Sequence, residues 1–251
     1  MNFKKQTQFL VSCGLIVGVL APSLSHADAL KLIPFAFYEQ ADKQIIIDGV
    51  SSQYALGVVG LQLNSNVTDN FELLAAAGYG LASNQKVSFA GANFIGDVSG
   101  TYTGLGAKLK IYDNNKSQNI KLEYQMHGRD LKAPALTGSR NNSPLTGNSD
   151  ITYNSNDLGI SAEHTFSDKM KAHMAFGVSD WDFTANGTAF TNSGITARKN
   201  IIASGSDPYW AIGLDWKRDK LQGKITIEQR NLSSQTKAKI SQVKIEAQYS
   251  F

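Results

Sequence analysis

The sequence predicts an all-β fold, an antiparallel up-and-down β-barrel of about ten strands that crosses a membrane, with eight or twelve strands as the alternatives. Three observations predict it. About ten runs of strand-like sequence follow residue 28. Tight turns and long polar stretches separate these runs alternately. Within most runs, apolar side chains alternate with small or charged ones, as they do in a sheet that buries one face.

Residues 1–27 are expected to be a cleaved signal peptide that takes no part in the fold. Two lysines precede an apolar stretch at residues 9–21, a proline ends that stretch, and a small-x-small pattern ends at Ala27. The stretch has about 13 residues, whereas a membrane-spanning helix needs roughly 20. An uncleaved anchor and a lipoprotein signal at Cys13 are the alternatives. Most of the apolar stretch follows Cys13, although a lipoprotein signal would end there, so residues 28–251 are assigned to the barrel.

The composition after residue 27 excludes several classes of protein. Removing the two lysines of residues 1–27 from the 24 basic residues leaves 22, against 21 acidic residues. Such a balance argues against a nucleic-acid-binding protein, which shows a basic excess. No cysteine remains, so no disulfide framework is expected. No later segment has the length of apolar sequence that a membrane-spanning helix needs, but strands hide their apolar residues in alternation.

The strand-like runs are assigned in chain order from their turns and their alternation. The first is ambiguous in phase, and its Pro34 is tolerated only near an edge or the start of a strand. Residues 44–48 either extend the second strand or belong to the first loop. The predicted strands are 30–40, 53–64, 71–81, 99–112, 119–129, 152–166, 170–183, 209–217, 221–231 and 236–251.

The connections between these runs alternate in length. Residues 66–70, 113–116, 167–169 and 218–220 have the composition of tight turns. The stretch 131–150 is rich in Gly, Pro, Ser, Thr and Asn, shows almost no apolar periodicity and is predicted to be a mobile outer loop. Residues 186–206 are predicted to be a second long, exposed loop, and residues 82–96 to be a polar connection. Membrane barrels have short turns on one side and long loops on the other, with both termini on the short-turn side.

The last run has one clean apolar face, made of Val243, Ile245, Ala247, Tyr249 and Phe251. An ending in Tyr-Ser-Phe resembles the closing strand of Gram-negative outer-membrane β-barrels, a broad superfamily that includes porins and small barrels of the OmpA and OmpX type. The resemblance implies an outer-membrane location, contact with outer-membrane lipids and lipopolysaccharide, and recognition of the last strand by the barrel-assembly machinery. We expect a monomer.

A soluble barrel or sandwich would show the same alternation, with its apolar face turned inward. Two further features favour a membrane. Small residues such as Gly104, Gly106 and Gly177 crowd the polar faces, as they would inside a narrow cylinder. Trp210 and Trp216 lie roughly 20 Å apart along one strand, which approaches the two edges of an apolar band about 25 Å tall. The predicted membrane-interface aromatic residues are Phe71, Phe166, Trp210, Trp216, Tyr249 and Phe251.

Charged side chains of both signs fall on the predicted inner faces in near balance. An eight-stranded barrel is filled by its own side chains and a porin of 16–18 strands is open, so ten strands predict a nearly plugged interior. A packed network of ion pairs and a narrow, weakly cation-lined conduit both fit this composition. The predicted network contains Lys121, Glu123, Arg129, Lys171, Asp215, Lys224, Glu228, Arg230, Lys244 and Glu246, with Lys108, Lys110, Lys217, Glu72, Asp157 and Glu163 as further members.

Candidate catalytic residues are few. Asp180 and Asp182 share one strand face, which resembles the paired carboxylates of omptin proteases, but the Asp-x-His pair of those enzymes is missing. His127 and Asp130 could serve a lipid A deacylase or phospholipase, but Gly128 occupies the nearest place for the serine. Three histidines and no cysteine follow residue 27, so neither a transition-metal site nor a cofactor is expected.

The sequence therefore predicts a non-enzymatic outer-membrane barrel that serves as a structural or adhesive surface protein or as a narrow passive channel. A hydrolase with a site at the barrel rim is the alternative. The hydrolase requires His127, Asp130, Asp180 and Asp182 to converge on one site. The channel requires a continuous lumen past Arg129, Lys171 and Arg230.

Overall fold

The computed structural model describes residues 28–42, 44–47, 50–89, 91–114, 117–191, 194–218, 221–232 and 238–249. The predicted signal peptide and the C-terminal Phe251 lie outside these residues. No helix in the described part of the chain is long and apolar enough to cross a membrane.

The described residues form twelve antiparallel strands in a single sheet. The strands are β1 (Asp28–Ala41), β2 (Ile45–Ile47), β3 (Val50–Ser52), β4 (Ala55–Thr68), β5 (Phe71–Phe89), β6 (Ala92–Asp113), β7 (Gln118–Arg140), β8 (Ser143–Ser167), β9 (Met170–Thr191), β10 (Gly194–Arg218), β11 (Leu221–Leu232) and β12 (Ala238–Tyr249).

The ten longer strands close into a barrel, which confirms the predicted fold class. Each pairs with its neighbour along the chain, and β12 returns to pair with β1, with Phe35 opposite Glu246. Where all ten strands lie side by side, closure satisfies their backbone hydrogen bonds and leaves no edge in the ring, which is what hydrocarbon demands. Residues 44–47 fall in the first connection, where β2 and β3 form a short hairpin that pairs with β5 through Ser51 and Ser52, and residue 48 lies outside the described residues.

The prediction of long outer loops, a mobile one at residues 131–150 and a second at 186–206, is wrong. In the described residues both stretches are mostly paired strand: β7 and β8 pair up to Arg140 opposite Ser143, and β9 and β10 pair up to Thr191 opposite Gly194. Residues 82–96 likewise belong mostly to β5 and β6. The apolar periodicity that identifies a strand in a membrane is absent there because most outward side chains of these parts of the strands are polar.

Along β8 the same face points outward throughout, but its side chains change from apolar to polar. This inversion of polarity shows where the strands leave the apolar band. In its lower part, towards the connection to β9, Leu158 and Ile160 point outward and are each 54% exposed. In its upper part, Thr152 and Asn154 point outward while Tyr153 packs against the buried core. The strands above the inversion form what we call the extramembrane sheet. It consists of residues 82–89, 92–103, 128–140, 143–156, 180–191 and 194–206.

The apolar core lies inside the barrel, on the inner side of the extramembrane sheet and at its base. Leu56, Val58 and Leu136 are almost completely buried. Burying such a side chain contributes about 1.5–3 kcal/mol. The rest of the cluster includes Phe35, Phe37, Ile47, Val50, Phe89, Phe94, Val98, Leu131, Leu145, Trp181, Ala185, Ala189, Ile201, Ala203, Leu232 and Ile240. In the upper wall the apolar side chains thus turn inward, whereas in the lower wall they turn outward.

Candidate functional site

The lower lumen is occupied by ion pairs between neighbouring strands. Lys121 Nζ lies 2.6 Å from Glu163 Oε1. Lys108 Nζ lies 3.2 Å from Glu123, whose carboxylate also accepts a hydrogen bond from Ser161. Each of these side chains points inward because its strand alternates with lipid-facing apolar residues. The pairs cross from β6 to β7 and from β7 to β8, so they hold the wall of the barrel together from inside.

Other members of the predicted network lie in the same lower region. Lys244 pairs with Glu246 and also donates to Gln62 Oε1 at 3.0 Å. Asp215 lies 3.2 Å from His173 Nδ1. Lys224 points inward near Glu123 and Glu246 and is partly buried. Lys171 is exposed near the lower end of β9, and the structure does not place it in an ion pair with another described residue.

Arg230 is the centre of a buried cluster at the level where the strands leave the apolar band. Its Nη2 lies 2.7 Å from Asp157 Oδ2, and its Nε donates to Glu228. Its Nη1 donates to Ser155 at 3.1 Å and to Ser179 at 3.2 Å. Because the guanidinium binds groups on β8, β9 and β11, it connects three strands across the lumen.

His127 belongs to this cluster. Its Nε2 lies 3.4 Å from Asp157, and its Nδ1 shares a hydrogen bond of 2.8 Å with the hydroxyl of Tyr102. Tyr209 fills the neighbouring space, with Arg230 5.7 Å from its ring centroid. The small residue Gly177 makes this possible, since an added Cβ there would lie 2.7 Å from the ring of Tyr209. The small residues of the lumen therefore leave room for particular large side chains, such as that of Tyr209.

A second buried ion pair lies above this cluster in the lumen. Arg129 Nη2 donates to Glu39 Oε2 at 2.8 Å, and both side chains are at most 4% exposed. The guanidinium is surrounded by the rings of Phe37, Tyr102 and Tyr153, whose centroids lie 5.0–5.7 Å away. Aromatic faces attract a cation, and the attraction is strongest where water is excluded.

Tyr54 and Tyr153 line this second pair as neutral phenols. Burial, with the charge of Glu39 as the next cause, raises the pKa of Tyr54 well above its usual value, and its hydroxyl donates to Glu39. Burial also raises the pKa of Tyr153. Burial is the largest single cause and would by itself lower the pKa of Arg129, but the surrounding side chains, Glu39 first among them, together raise that pKa. Arg129 therefore stays protonated beside these two phenols.

Several residues of these clusters were not predicted from the sequence. Glu39 was missed because the first strand has apolar residues on both faces, which leaves its phase open. Ser155 and Ser179 carry no charge and resemble any other small lumen residue. Tyr102 alternates with threonines on β6, so its inward position follows from the strand phase alone.

The predicted interface aromatic residues point away from the lumen where the structure describes their side chains. Phe166 is 63% exposed near the lower end, and Trp216 is 41% exposed. Trp210 is 40% exposed, and its Nε1 donates to Gln229 Oε1 at 3.2 Å. Phe71 is half-buried at the lower end of β5. The backbone of Tyr249 belongs to β12, but its side chain and Phe251 lie outside the described part of the structure.

The candidate catalytic residues do not converge. His127 faces the lumen and binds Tyr102 and Asp157. Asp180 and Asp182 alternate on β9 with the buried Trp181, so their carboxylates lie on the outer side of the wall. Asp130 is also on the outer side, where it accepts a hydrogen bond of 3.0 Å from Thr152. The wall of the barrel thus separates the histidine from the three carboxylates.

The outer side of the extramembrane sheet is a polar face held in place by bonds between strands. Asn154 Nδ2 donates to Asp182 Oδ1 at 3.1 Å, which connects β8 to β9. Thr152 connects β8 to β7 in the same way. Thr152 stands opposite Thr184, and Asn148 opposite Thr188. No group of three or more metal-ligating side chains occurs among the described residues.

No family model and no curated protein matches this chain. Solved structures do match it. The outer-membrane protease OmpT from Escherichia coli is similar at a TM-score of 0.53 and 9% identity, over 90% of this chain and 96% of that one. The translocator domain of the autotransporter NalP from Neisseria meningitidis is similar at a TM-score of 0.51 and 9% identity, over 98% of each chain. At such identities the likeness shows the fold alone.

Proposed function

For a chain with the fold of Gram-negative outer-membrane β-barrels, we propose a non-enzymatic role as a surface-exposed barrel of the bacterial outer membrane. In this proposal the closed lumen is structural, and the extramembrane sheet is a rigid adhesive surface. Lipids and lipopolysaccharide surround the barrel, the barrel-assembly machinery recognises β12, and the protein acts as a monomer.

One observation carries the proposal: the polar face of the extramembrane sheet is ordered by strand pairing over its whole height. Hydroxyl and amide side chains of β7, β8 and β9 stand in rows on this face, and two of the rows are joined by side-chain hydrogen bonds. A surface that is already fixed loses little conformational entropy when a partner binds. Rigid scaffolds of this kind suit recognition by contact rather than transport.

The two competing roles find less support. A narrow passive channel needs a continuous lumen, but Arg129, Glu39, Arg230 and Asp157 are all buried across it, and the apolar cluster lies above them. A hydrolase at the rim needs its histidine and carboxylates on one side of the wall. Neither the likeness to a protease nor the likeness to a translocator decides the activity of this chain.

Single-channel conductance tests the closed lumen. The refolded protein in planar bilayers is expected to show no discrete current steps at high salt, because two buried arginines and the side chains that bind them lie across the lumen. Heat-modifiable gel migration of the same sample shows that the barrel has folded. Reproducible steps that scale with salt concentration would favour the channel instead.

Adhesion of whole cells tests the surface role. A non-adherent Gram-negative strain that produces this protein is expected to bind epithelial monolayers several-fold better than the empty strain. The triple variant Thr152→Ala, Asn154→Ala, Thr184→Ala removes the rows of polar groups and is expected to lose that gain. The matched control, Met174→Leu on the lipid-facing side, is expected to keep it. Equal binding by the producing strain and the empty strain would overturn the adhesive role.

A further inference from the structure

The upper part of β10 has an edge without a strand partner among the described residues. β10 pairs with β9 from Gly194 to Trp216, but with β11 only from Tyr209 to Arg218. Residues 197–206 of β10 therefore continue above the last pair with β11, and among the described strands only β9 forms a ladder of hydrogen bonds with them.

The register identifies which backbone groups face this edge. Lys217 N donates to Lys169 O on the β9 side, and the β9–β10 register runs without a shift from Trp216 to Ala197. Antiparallel strands alternate, so odd-numbered residues of β10 bond β9 and even-numbered residues face away from it. The N–H and C=O groups of Arg198, Asn200, Ile202 and Ser204 therefore point to the open edge.

Features that protect edge strands occur only at the two ends of this segment. Pro208 lies just above the last pair with β11, at a position whose backbone faces the edge. A proline has no N–H, so it offers no donor there. Arg198 and Lys199 provide charge at the upper end. Between them, residues 200–206 contain neither proline nor charge, although such devices normally discourage strand addition.

The edge is also held in a fixed shape. Ile201 and Ala203 are 6% and 2% exposed and belong to the apolar core, so they anchor the strand from the inner side. On the outer side, Ile202 is 68% exposed although it stands in a row with Thr184 and Thr152, above the apolar band. A fixed row of backbone groups beside an exposed apolar side chain is the kind of template that binds an extended peptide.

We propose that this edge of β10 binds an extended peptide segment of a partner protein by adding it as an antiparallel strand. Main-chain hydrogen bonds to Asn200, Ile202 and Ser204 supply the affinity. Side chains of the peptide that lie on the outer face meet Ile202 and, four residues along, Arg198. The recognised segment therefore carries an apolar residue and an acidic residue four positions apart.

A second copy of this chain in the same membrane does not fit the edge. Antiparallel pairing of two identical edges requires a two-fold axis perpendicular to the sheet. The sheet wall runs upward from the bilayer, so that axis lies close to the membrane plane and would turn one of the barrels upside down. An extended segment of a separate protein has no such constraint.

Fluorescence anisotropy with a defined peptide tests the proposal, which rests on the proposed water-exposed position of the sheet. The probe is a fluorescein-labelled peptide of alternating threonine and valine, with one glutamate four positions from a central valine. Saturable binding to the refolded protein in lipid vesicles is expected. The variant Asn200→Pro, Ser204→Pro removes two edge-facing donors and is expected to bind about tenfold more weakly or worse.

The matched control is Asn200→Ala, Ser204→Ala, which keeps both backbone donors and is expected to bind like the wild type. Proline at an edge position with an outward N–H is compatible with the strand, and heat-modifiable migration checks the fold of both variants. No saturable binding, or equal binding by the proline and alanine variants, would overturn the proposal. Disulfide-linked dimers of Ile202→Cys in one vesicle would assign the edge to a second copy instead.

The triple variant Thr152→Ala, Asn154→Ala, Thr184→Ala separates this proposal from the proposed function. It is expected to bind the peptide like the wild type, because those residues lie on the face and not at the edge. If whole-cell adhesion fails while the peptide still binds, the adhesive role is overturned and the edge site remains. If adhesion is observed but the peptide does not bind, only the edge site is overturned.

Discussion

Arg230 shows how the lumen is stabilised at the scale of single residues. Its guanidinium is 9% exposed and binds Asp157, Glu228, Ser155 and Ser179. Removing two charges from water is costly, and their attraction offsets that cost only when the remaining polar atoms are also satisfied. The two serines supply part of that satisfaction. The cluster is therefore sensitive to the loss of any one member.

Arg230→Met is expected to lower the free energy of unfolding by about 3–5 kcal/mol, because it leaves the Asp157 carboxylate buried without its partner. Urea unfolding in lipid vesicles, followed by tryptophan fluorescence, measures the change. The control Lys132→Met alters an exposed cation on the outer side of β7 and is expected to change stability by less than about 0.5 kcal/mol. Equal stability of Arg230→Met and wild type would mean that the cluster contributes no net stabilisation.

At the scale of elements, the β7–β8 hairpin replaces a predicted mobile loop. Its two-residue turn consists of Asn141 and Asn142, with φ values of 48° and 63°. Positive φ at both central residues is what a type I′ turn requires, and its twist matches that of paired strands. Asparagine adopts this conformation more readily than other residues with a Cβ. Two adjacent asparagines between two polar runs are therefore a sequence feature that favours a β-hairpin.

Trypsin distinguishes a hairpin from a mobile loop. Lys132 lies within β7, opposite Asp150 and Ser99, so the intact protein in vesicles is expected to resist cleavage after Lys132. Cleavage after Arg140, next to the turn, is expected first. Asn142→Val, which strains the turn, is expected to speed that cleavage, whereas Asn142→Gly is expected to leave it unchanged. Rapid cleavage of the wild type after Lys132 would contradict the paired strand.

The sequence identified the lower halves of these strands better than the upper halves for a physical reason. In the lower halves, lipid selects apolar outward residues such as Leu158 and Ile160, and the period of two is plain. In the upper halves, threonine and asparagine face outward. The inward side chains there vary in size, from none at Gly147 to the large side chain of Leu145. Polar, glycine-containing sequence of this kind is also typical of loops, so composition alone could not separate them.

At the scale of the whole molecule, the inversion of the outward pattern divides the barrel into a lipid-facing part and a water-facing part. On β8 the change falls between Asn156 and Leu158. On β9 it falls between Asp180 and Val178, which are neighbours of those two residues in the sheet. The agreement of adjacent strands indicates one continuous boundary around this side of the barrel.

Arginine substitutions test where that boundary lies. Ile160→Arg places a charge on the lipid-facing wall and is expected to lower the free energy of unfolding in vesicles by about 2–4 kcal/mol. Asn154→Arg, six residues higher on the same face of β8, is expected to change it by less than about 0.5 kcal/mol. Similar losses for both variants would place Asn154 inside the bilayer and remove the extramembrane sheet.

The sequence by itself determined the barrel, the phases of the strands after the first and the near balance of charge in the lumen, because an apolar environment on one side and a narrow interior on the other constrain alternate residues throughout the lower wall. It did not determine the pairing of residues 131–150 and 186–206, the partners of Arg129 and Arg230, or the open edge of β10. Those depend on which strands lie side by side and on how far each extends. Only the tertiary structure decides such contacts, because the residues that make them lie far apart in the chain: Glu39 and Arg129 are separated by 90 positions.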